Sequence, residues 1–173
     1  MDKAHLREEY GKKFRDFEKS PLKIDALVGI RQRIHVFFHR RIVKRIMAYS
    51  PMKTELPILD LIKDLNYDIY IPRIQGEQLI PVSLSTGEID SISSMDFIIV
   101  PGLFITKEGI RLGRGGGYYD RLLSGYPRNK TVFIGFDWQI KNELSEDPWD
   151  KRVGFWITQN EDGACPENKQ FTE

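Results

Sequence analysis

Two short, mostly apolar runs, Phe97-Ile98-Ile99-Val100 and Thr131-Val132-Phe133-Ile134-Gly135-Phe136, constrain the fold more than any other feature of the chain. Neither alternates with charged residues. That is what a strand covered on both faces requires, and burial of both faces is characteristic of parallel sheets flanked by helices. Asp96 and Pro101-Gly102 bound the first run as turn residues do. Between the runs lie a glycine-rich segment at 109–117 and a short helical stretch from Tyr118 to Leu123, giving the order strand, loop, helix, strand. Strands alternating with helices predict an α/β sheet, mostly parallel, with helices on both faces: a Rossmann-like three-layer sandwich whose ligands bind beyond the carboxyl ends of the strands.

The remaining elements fit that frame. Leu6, Tyr10, Phe14 and Phe17 recur at helical spacing and predict a helix over 3–19. Ser20 as N-cap with Pro21 at the first helical position opens a second helix carrying Leu22, Leu27, Ile30, Ile34 and Phe38. The stretch with Ile42, Val43, Ile46 and Met47 suits either a continued helix or a strand ending at Tyr49, and the Ser50-Pro51 break favours the strand. Ile58 to Leu65 reads as a short helix, and Asp68–Pro72 and Gln78–Leu84 as two strands. Residues 1–160 are expected to form a single domain, and 161–173, without apolar periodicity, a polar flexible tail.

A chain of 173 residues, 40% hydrophobic and 12% aromatic, can bury about 70% of the surface its unfolded form exposes and needs no staples. Its one cysteine, Cys165, has no internal partner, so a disulfide framework is excluded and a reducing, cytoplasmic setting is expected. No apolar run approaches the roughly 18 residues of a membrane helix, and the polar N-terminus does not read as a secretory leader. The net charge of +1 conceals 13 Lys/Arg against 6 Asp/Glu in the first fifty residues. That surplus can attract an anion. With a pI near 7.8 the expected partner is a phosphate-bearing small molecule rather than nucleic acid.

The motif best suited to hold such an anion is Gly109-Ile110-Arg111-Leu112-Gly113-Arg114-Gly115-Gly116-Gly117-Tyr118-Tyr119-Asp120. Five of the residues at 109–117 are glycine, which accepts positive φ and lets backbone N–H groups close around a ligand. Arg111 and Arg114 add charges that can fork onto phosphate oxygens. The string is neither a P-loop, lacking Gly-Lys-Ser/Thr, nor a dinucleotide fingerprint, since Tyr118 stands where the last glycine belongs. An RGG-like RNA-binding segment or a plain flexible turn is the competing reading.

Asp120, beginning the following helix, can either cap backbone N–H groups or hold magnesium, and Asp150 in Asp147-Pro148-Trp149-Asp150 is a candidate partner from another loop, or a surface turn residue. Lys3 and Arg7 stand four apart on the first helix and suit either a shared phosphate or plain solvent exposure. His35 and His39 share that spacing but lack the further ligands of a zinc site, and no catalytic triad is present.

Around this loop the chain resembles the 5-formyltetrahydrofolate cyclo-ligase family. The matching residues are Val100-Pro101-Gly102, Phe104 and Gly109-x-Arg111-Leu112-Gly113-Arg114-Gly115-Gly116-Gly117-Tyr118-Tyr119-Asp120-Arg121, with Lys3-x-x-Leu6-Arg7, Glu55, Pro72, Gln139 and Asp150 in support. The resemblance implies an ATP- and magnesium-dependent ring closure of 5-formyltetrahydrofolate to 5,10-methenyltetrahydrofolate through a phosphorylated formyl group, with ADP and phosphate released. Carried over by position, it implies ATP binding by Lys3, Arg7 and Arg111, Leu112, Gly113, Arg114, Gly115, Gly116, Gly117, Tyr118 and Tyr119. It likewise implies catalytic roles for Arg111 and Arg114, folate binding by Glu55, Tyr118 and Tyr119, and magnesium on Asp120 and Asp150. A monomer acting on a reduced folate, with or without a polyglutamate tail, and having no nucleic-acid or membrane partner, is the corresponding expectation. A diverged or non-catalytic nucleotide- or RNA-binding module is the alternative. The chain departs from the family at Leu56-Pro57-Ile58, where a threonine often follows the glutamate, and at Trp149, where a histidine is frequent.

Overall fold

The computed structural model describes residues 2–167. Its main sheet has seven strands in the order β10-β9-β7-β4-β1-β2-β3. These are β1 (Arg45–Met47), β2 (Asp68–Gln75), β3 (Gln78–Ser83), β4 (Phe97–Ile99), β7 (Thr131–Ile134), β9 (Phe155–Ile157) and β10 (Asp162–Ala164). The five inner strands are parallel, and β3 and β10 are antiparallel edges. Renumbered by chain order, the parallel strands run 2-1-3-4-5. The order reverses between β1 and β4, and there a crevice opens beyond the strand ends.

Alternation within the buried strands explains the three layers. Ile46, Phe97, Ile99, Val132 and Ile134 point to one face, where they pack with Leu6, Tyr10 and Phe14 of α1 (Lys3–Glu18), Ile30, Ile34 and Phe38 of α2 (Leu22–His39), and Ile58 and Ile62 of α3 (Ile58–Ile62). Met47, Ile98, Phe133 and Trp156 point to the other face, against Leu123 of α4 (Tyr118–Leu123) and Tyr126. The expected sandwich is therefore present, with the apolar runs at 97–100 and 131–136 at its centre. No helix among the described residues is long and apolar enough to cross a membrane.

Local expectations hold with three corrections. The Ser20 hydroxyl does accept from the Leu22 N–H at 3.2 Å, but the Leu22 side chain faces solvent; the buried stripe of α2 begins at Ala26. The segment at 109–117 is not one loop. A second sheet, β6-β5-β8, recruits its first part: β5 (Phe104–Thr106) pairs antiparallel with β6 (Arg111–Leu112) and parallel with β8 (Ile140–Lys141). Gly109, at φ +88°, makes the reversal between β5 and β6. Finally, the expected polar tail begins with β10, held on β9 by its ladder, and Cys165 is buried. An edge strand that presents Gly163 to the Trp156 ring needs no apolar periodicity of its own. The remainder of that tail, from 168 on, lies outside the described residues.

Candidate functional site

The crevice at the switch point is a cavity of about 520 Å³. Residues following β1 (Tyr49, Ser50, Met52, Glu55) form one wall and those following β4 (Pro101, Gly102, Leu103) another. Residues 111–120 cover it, Lys3 and Arg7 enter from α1, Ile74 and Leu79 from the β2–β3 hairpin, and Asp147, Trp149 and Asp150 from the loop before β9. Every site residue expected from the sequence thus lines a single cavity: Lys3, Arg7, Glu55, Arg111 through Tyr119, Asp120 and Asp150. Six segments of the chain meet there, those after β1 and β4 because the parallel strands end on this side of the sheet.

The glycine segment is shaped around arginines. Gly115 and Gly117 take φ of +104° and +69°, left-handed values that a Cβ would strain. At Gly115 a Cβ would also lie 3.3 Å from Nη2 of Arg7, whose Nε donates to Gly113 O at 3.1 Å. Arg111 is buried beneath the loop. It donates from Nη1 to Pro101 O and from Nη2 to Asp120 Oδ1, both at 3.1 Å, while its Nε has no partner. Burial of the guanidinium is tolerable because of that carboxylate. Arg114 is more open and donates to Glu55 Oε1 at 3.0 Å and to Thr54 Oγ1 at 3.0 Å.

The acidic groups are each held by one oxygen. Asp120 accepts on Oδ1 from Arg111 and from the Lys151 N–H. Asp150 accepts on Oδ2 from Lys3 Nζ at 3.0 Å and from the Asp147 N–H at 2.9 Å. The other oxygen of each carboxylate could meet a hard cation. Among the described residues there is no cluster of three or more His, Cys, Asp or Glu able to hold a metal ion, and His35 and His39 merely stack on α2. Two carboxylates flanking a cationic, glycine-lined crevice do fit magnesium, which usually arrives with phosphates and retains waters. Lys3 also reaches Asp147 at 2.5 Å. Burial acts to lower its pKa, but the hydrogen bonds it donates to the two aspartates, together with their charge, outweigh this and raise it, so the ammonium stays charged.

The folate-side expectations are also placed on the cavity wall. Glu55 accepts on Oε2 from the Met52 N–H at 2.8 Å, which leaves its carboxylate plane fixed by two donors. The Tyr119 hydroxyl is buried without a partner, and burial pushes its pKa well up, so it can donate a hydrogen bond. Tyr118 lies under the Arg121 guanidinium at 4.8 Å. Gln139, in contrast, is fully inside the fold: it accepts from Phe136 N–H and donates to Leu103 O, bracing the turn after β4. Several other cavity residues carry no functional signal in the sequence. Asp147 reads there only as a turn residue, and Ile74 and Leu79 only as apolar positions of an edge hairpin, with nothing to show which face they serve.

Fold and site together define a doubly wound α/β enzyme with a cationic, glycine-lined crevice at its switch point. The family model described as 5-formyltetrahydrofolate cyclo-ligase matches residues 83–159. The 5-formyltetrahydrofolate cyclo-ligase of Mycoplasma genitalium is 30% identical over 149 residues, 82% of this chain and 87% of that protein. Its counterpart in Mycoplasma pneumoniae is 29% identical over 167 residues, 91% and 98% of the two chains. The solved structure of a 5,10-methenyltetrahydrofolate synthetase from Mycoplasma pneumoniae superposes with a TM-score of 0.78 at 24% identity, covering 92% of this chain and 99% of that one. The chain belongs to the 5-formyltetrahydrofolate cyclo-ligase family.

Proposed function

We propose that the protein closes 5-formyltetrahydrofolate to 5,10-methenyltetrahydrofolate with conversion of ATP to ADP and phosphate. The observation that carries this reading is the contact of Arg114 with Glu55 at 3.0 Å, which joins a phosphate-type loop to an acidic group suited to a pterin within one cavity. In the reaction the formyl oxygen attacks the γ-phosphorus of ATP and ADP departs with the bond's electron pair. The N10 lone pair then attacks the activated formyl carbon, the N10 proton passes to solvent, and the carbon–oxygen bond breaks as phosphate leaves. A carbonyl oxygen is a poor leaving group and phosphate a good one, so the first step makes the second possible.

Such phosphoryl transfer depends on positioning and charge neutralisation rather than a protein nucleophile, in keeping with the absence of a catalytic triad from the sequence. Lys3, Arg7 and the backbone of 112–117 would hold the triphosphate, and Tyr118 and Tyr119 would border both substrates. Arg114 would meet the charge that develops on the transferred group. Arg111, engaged by Pro101 and Asp120, would act mainly by fixing the loop and that carboxylate. Glu55 would accept from the pterin N–H groups, and the Tyr119 hydroxyl would find its missing partner on the folate. Asp120 and Asp150 would hold magnesium through the oxygens they leave uncommitted, and the ion would supply neutralisation of the phosphate charge.

Mixing the protein with 5-formyltetrahydrofolate and MgATP and following the near-ultraviolet band of the methenyl product tests the assignment. Absorbance growth that needs both ATP and magnesium is expected. A flat trace from folded protein that binds MgATP would discard the folate half of the reading.

A further inference from the structure

The chain contains three tryptophans, and they differ sharply in environment. Trp156 is buried against Phe133 and Val153, and Trp138 packs among Tyr10, Phe17 and Phe136. Trp149 is 66% exposed. Among the described residues its indole has no ring or cation partner within the protein, yet it lines the crevice at the switch point. An exposed indole of this size forgoes the burial that normally offsets its hydration cost, and its flat apolar surface is available to a ligand.

The backbone beneath it is rigidly placed. Asp150 N–H donates to Asp147 O at 3.0 Å and Asp147 N–H donates to Asp150 Oδ2 at 2.9 Å, closing a four-residue turn with Trp149 at its third position. Lys3 Nζ clamps both aspartates of that turn from α1. Trp149 therefore stands in one turn with the aspartates that Lys3 grips, on an element separate from the Glu55 turn to which Arg114 is bound. With the transferred phosphate at Arg114, beside Glu55, the part of the nucleotide remote from it is the base, and Trp149 offers an exposed aromatic face in the lining of the crevice.

We propose that Trp149 is the base-stacking platform of the nucleotide site, covering the purine of ATP; this rests on the assignment of the 111–120 segment to ATP. Every nucleobase has a π-face, and aromatic platforms bind bases by stacking with little dependence on hydrogen-bond readout. The preference of the site for a purine-bearing triphosphate over a bare polyphosphate would then arise at this residue.

Binding of ATP and of inorganic tripolyphosphate to the wild type, Trp149→Ala and Trp149→Phe tests this by titration calorimetry in the presence of magnesium, with acrylamide quenching of tryptophan emission as an independent readout. For the wild type, ATP should shield the accessible tryptophan from acrylamide and tripolyphosphate should bind without shielding it. Trp149→Ala should weaken ATP about tenfold or more and leave tripolyphosphate unchanged, with Trp149→Phe recovering most of the loss. Exposure of the side chain means the variants should keep the wild-type melting temperature, which a thermal scan checks. Equal ATP affinity in wild type and Trp149→Ala overturns the proposal while leaving the nucleotide site intact. Shielding by 5-formyltetrahydrofolate in place of ATP would also overturn it, assigning the indole to the folate. Failure of the wild type to bind either ATP or tripolyphosphate would instead remove the nucleotide reading, and the proposal with it.

Discussion

Arg114 Nε donates to Glu55 Oε1 at 3.0 Å, and this one contact spans from the glycine segment before α4 to the turn after β1. Arg114 also reaches Thr54 Oγ1 at 3.0 Å, and the Tyr10 hydroxyl donates to Thr54 O at 2.7 Å, so α1 is tied into the same turn. The consequence is that the glycine segment and the Glu55 turn, proposed to meet the phosphates and the folate respectively, cannot move independently. A ligand that draws Arg114 toward a phosphate loosens one of the two donors that fix Glu55, and a ligand that engages Glu55 alters the position of Arg114. The two halves of the site are coupled through a side-chain pair of which the glutamate is nearly buried and the arginine partly open.

Loss of Arg114 should therefore be felt on both substrates. Arg114→Ala is expected to lower kcat by about two orders of magnitude, the scale of losing a donor aimed at developing charge, and also to raise KM for 5-formyltetrahydrofolate. Glu55→Gln should raise the same KM with a smaller effect on kcat. Because the residues touch, the double variant should cost less than the sum of the singles, with a coupling of about 0.5–3 kcal/mol. Steady-state kinetics on the four proteins of the cycle measures this. Strict additivity would mean that the contact is incidental to turnover.

Much of this arrangement is legible in the amino-acid sequence, for identifiable physical reasons. Phe97–Val100 announces a central strand because covering both faces removes the polar alternation that an exposed face imposes, and the glycine string announces a backbone-lined cradle because no other residue accepts φ of +104° at Gly115 without strain. The second sheet is hidden for the opposite reason. Arg111–Leu112 is a strand of only two residues, and the strand on the other side of β5, β8, is equally short, so neither carries a periodicity to detect. Trp149 and the hairpin residues Ile74 and Leu79 reach the site through tertiary placement alone. The same holds for the grip of Lys3 on Asp147 and Asp150, which joins residues 144 and 147 positions apart.

That grip makes the two proposed magnesium carboxylates inequivalent. Asp150 is held by a lysine entering from another element, and Asp120 by a buried arginine beneath the loop. Asp150→Asn should raise the magnesium concentration for half-maximal activity by at least about tenfold, since even groups that only orient a metal ligand cost 10–100-fold. The fold should tolerate it, because Lys3 retains Asp147. Asp120→Asn should weaken magnesium and also lower the melting temperature, as it leaves the Arg111 guanidinium buried without a full counter-charge. Magnesium titrations of initial rate, paired with thermal melts, separate the two. Equal melting temperatures for both variants would contradict the structural weight given to the Arg111–Asp120 pair.

Two glycines at positive φ should respond very differently to alanine. Gly76, at φ +61° in the turn of the β2–β3 hairpin, has open space where a Cβ would go, so Gly76→Ala incurs only the left-handed strain, about 1–2 kcal/mol. Gly109, at φ +88°, would overlap the Val153 carbonyl oxygen, and that oxygen is fixed as acceptor of the Arg128 Nε. Gly109→Ala should therefore destabilise by appreciably more than Gly76→Ala, by roughly 3 kcal/mol or more when overpacking is added to strain. Urea denaturation of both variants gives the comparison. Similar losses would show that the β5–β6 reversal can shift to make room.

Stability at high pH should depend on Cys165. The free thiol is buried beside Gly109 and Arg128, and burial pushes its pKa from 9.0 up to about 11, against the opposing pull of Arg128. A folded-state pKa above the unfolded value means that below pH 9 both states keep the proton and the contribution to stability is complete. Between 9 and 11 the unfolded chain ionises while the folded chain does not, so stability falls as pH rises, by an amount on the order of 2–3 kcal/mol for the full window. The buried hydroxyls of Tyr49 and Tyr119, also pushed up, steepen the same decline from about pH 10. Urea midpoints should fall between pH 9 and 11 in the wild type, with a shallower fall in Cys165→Ala. At pH 7.5 the native thiol should alkylate far more slowly than the unfolded one, since the thiolate is the reactive form. Rapid alkylation of the native protein at that pH would show that Cys165 is neither buried nor shifted, and the pH dependence would then have to come from the tyrosines alone.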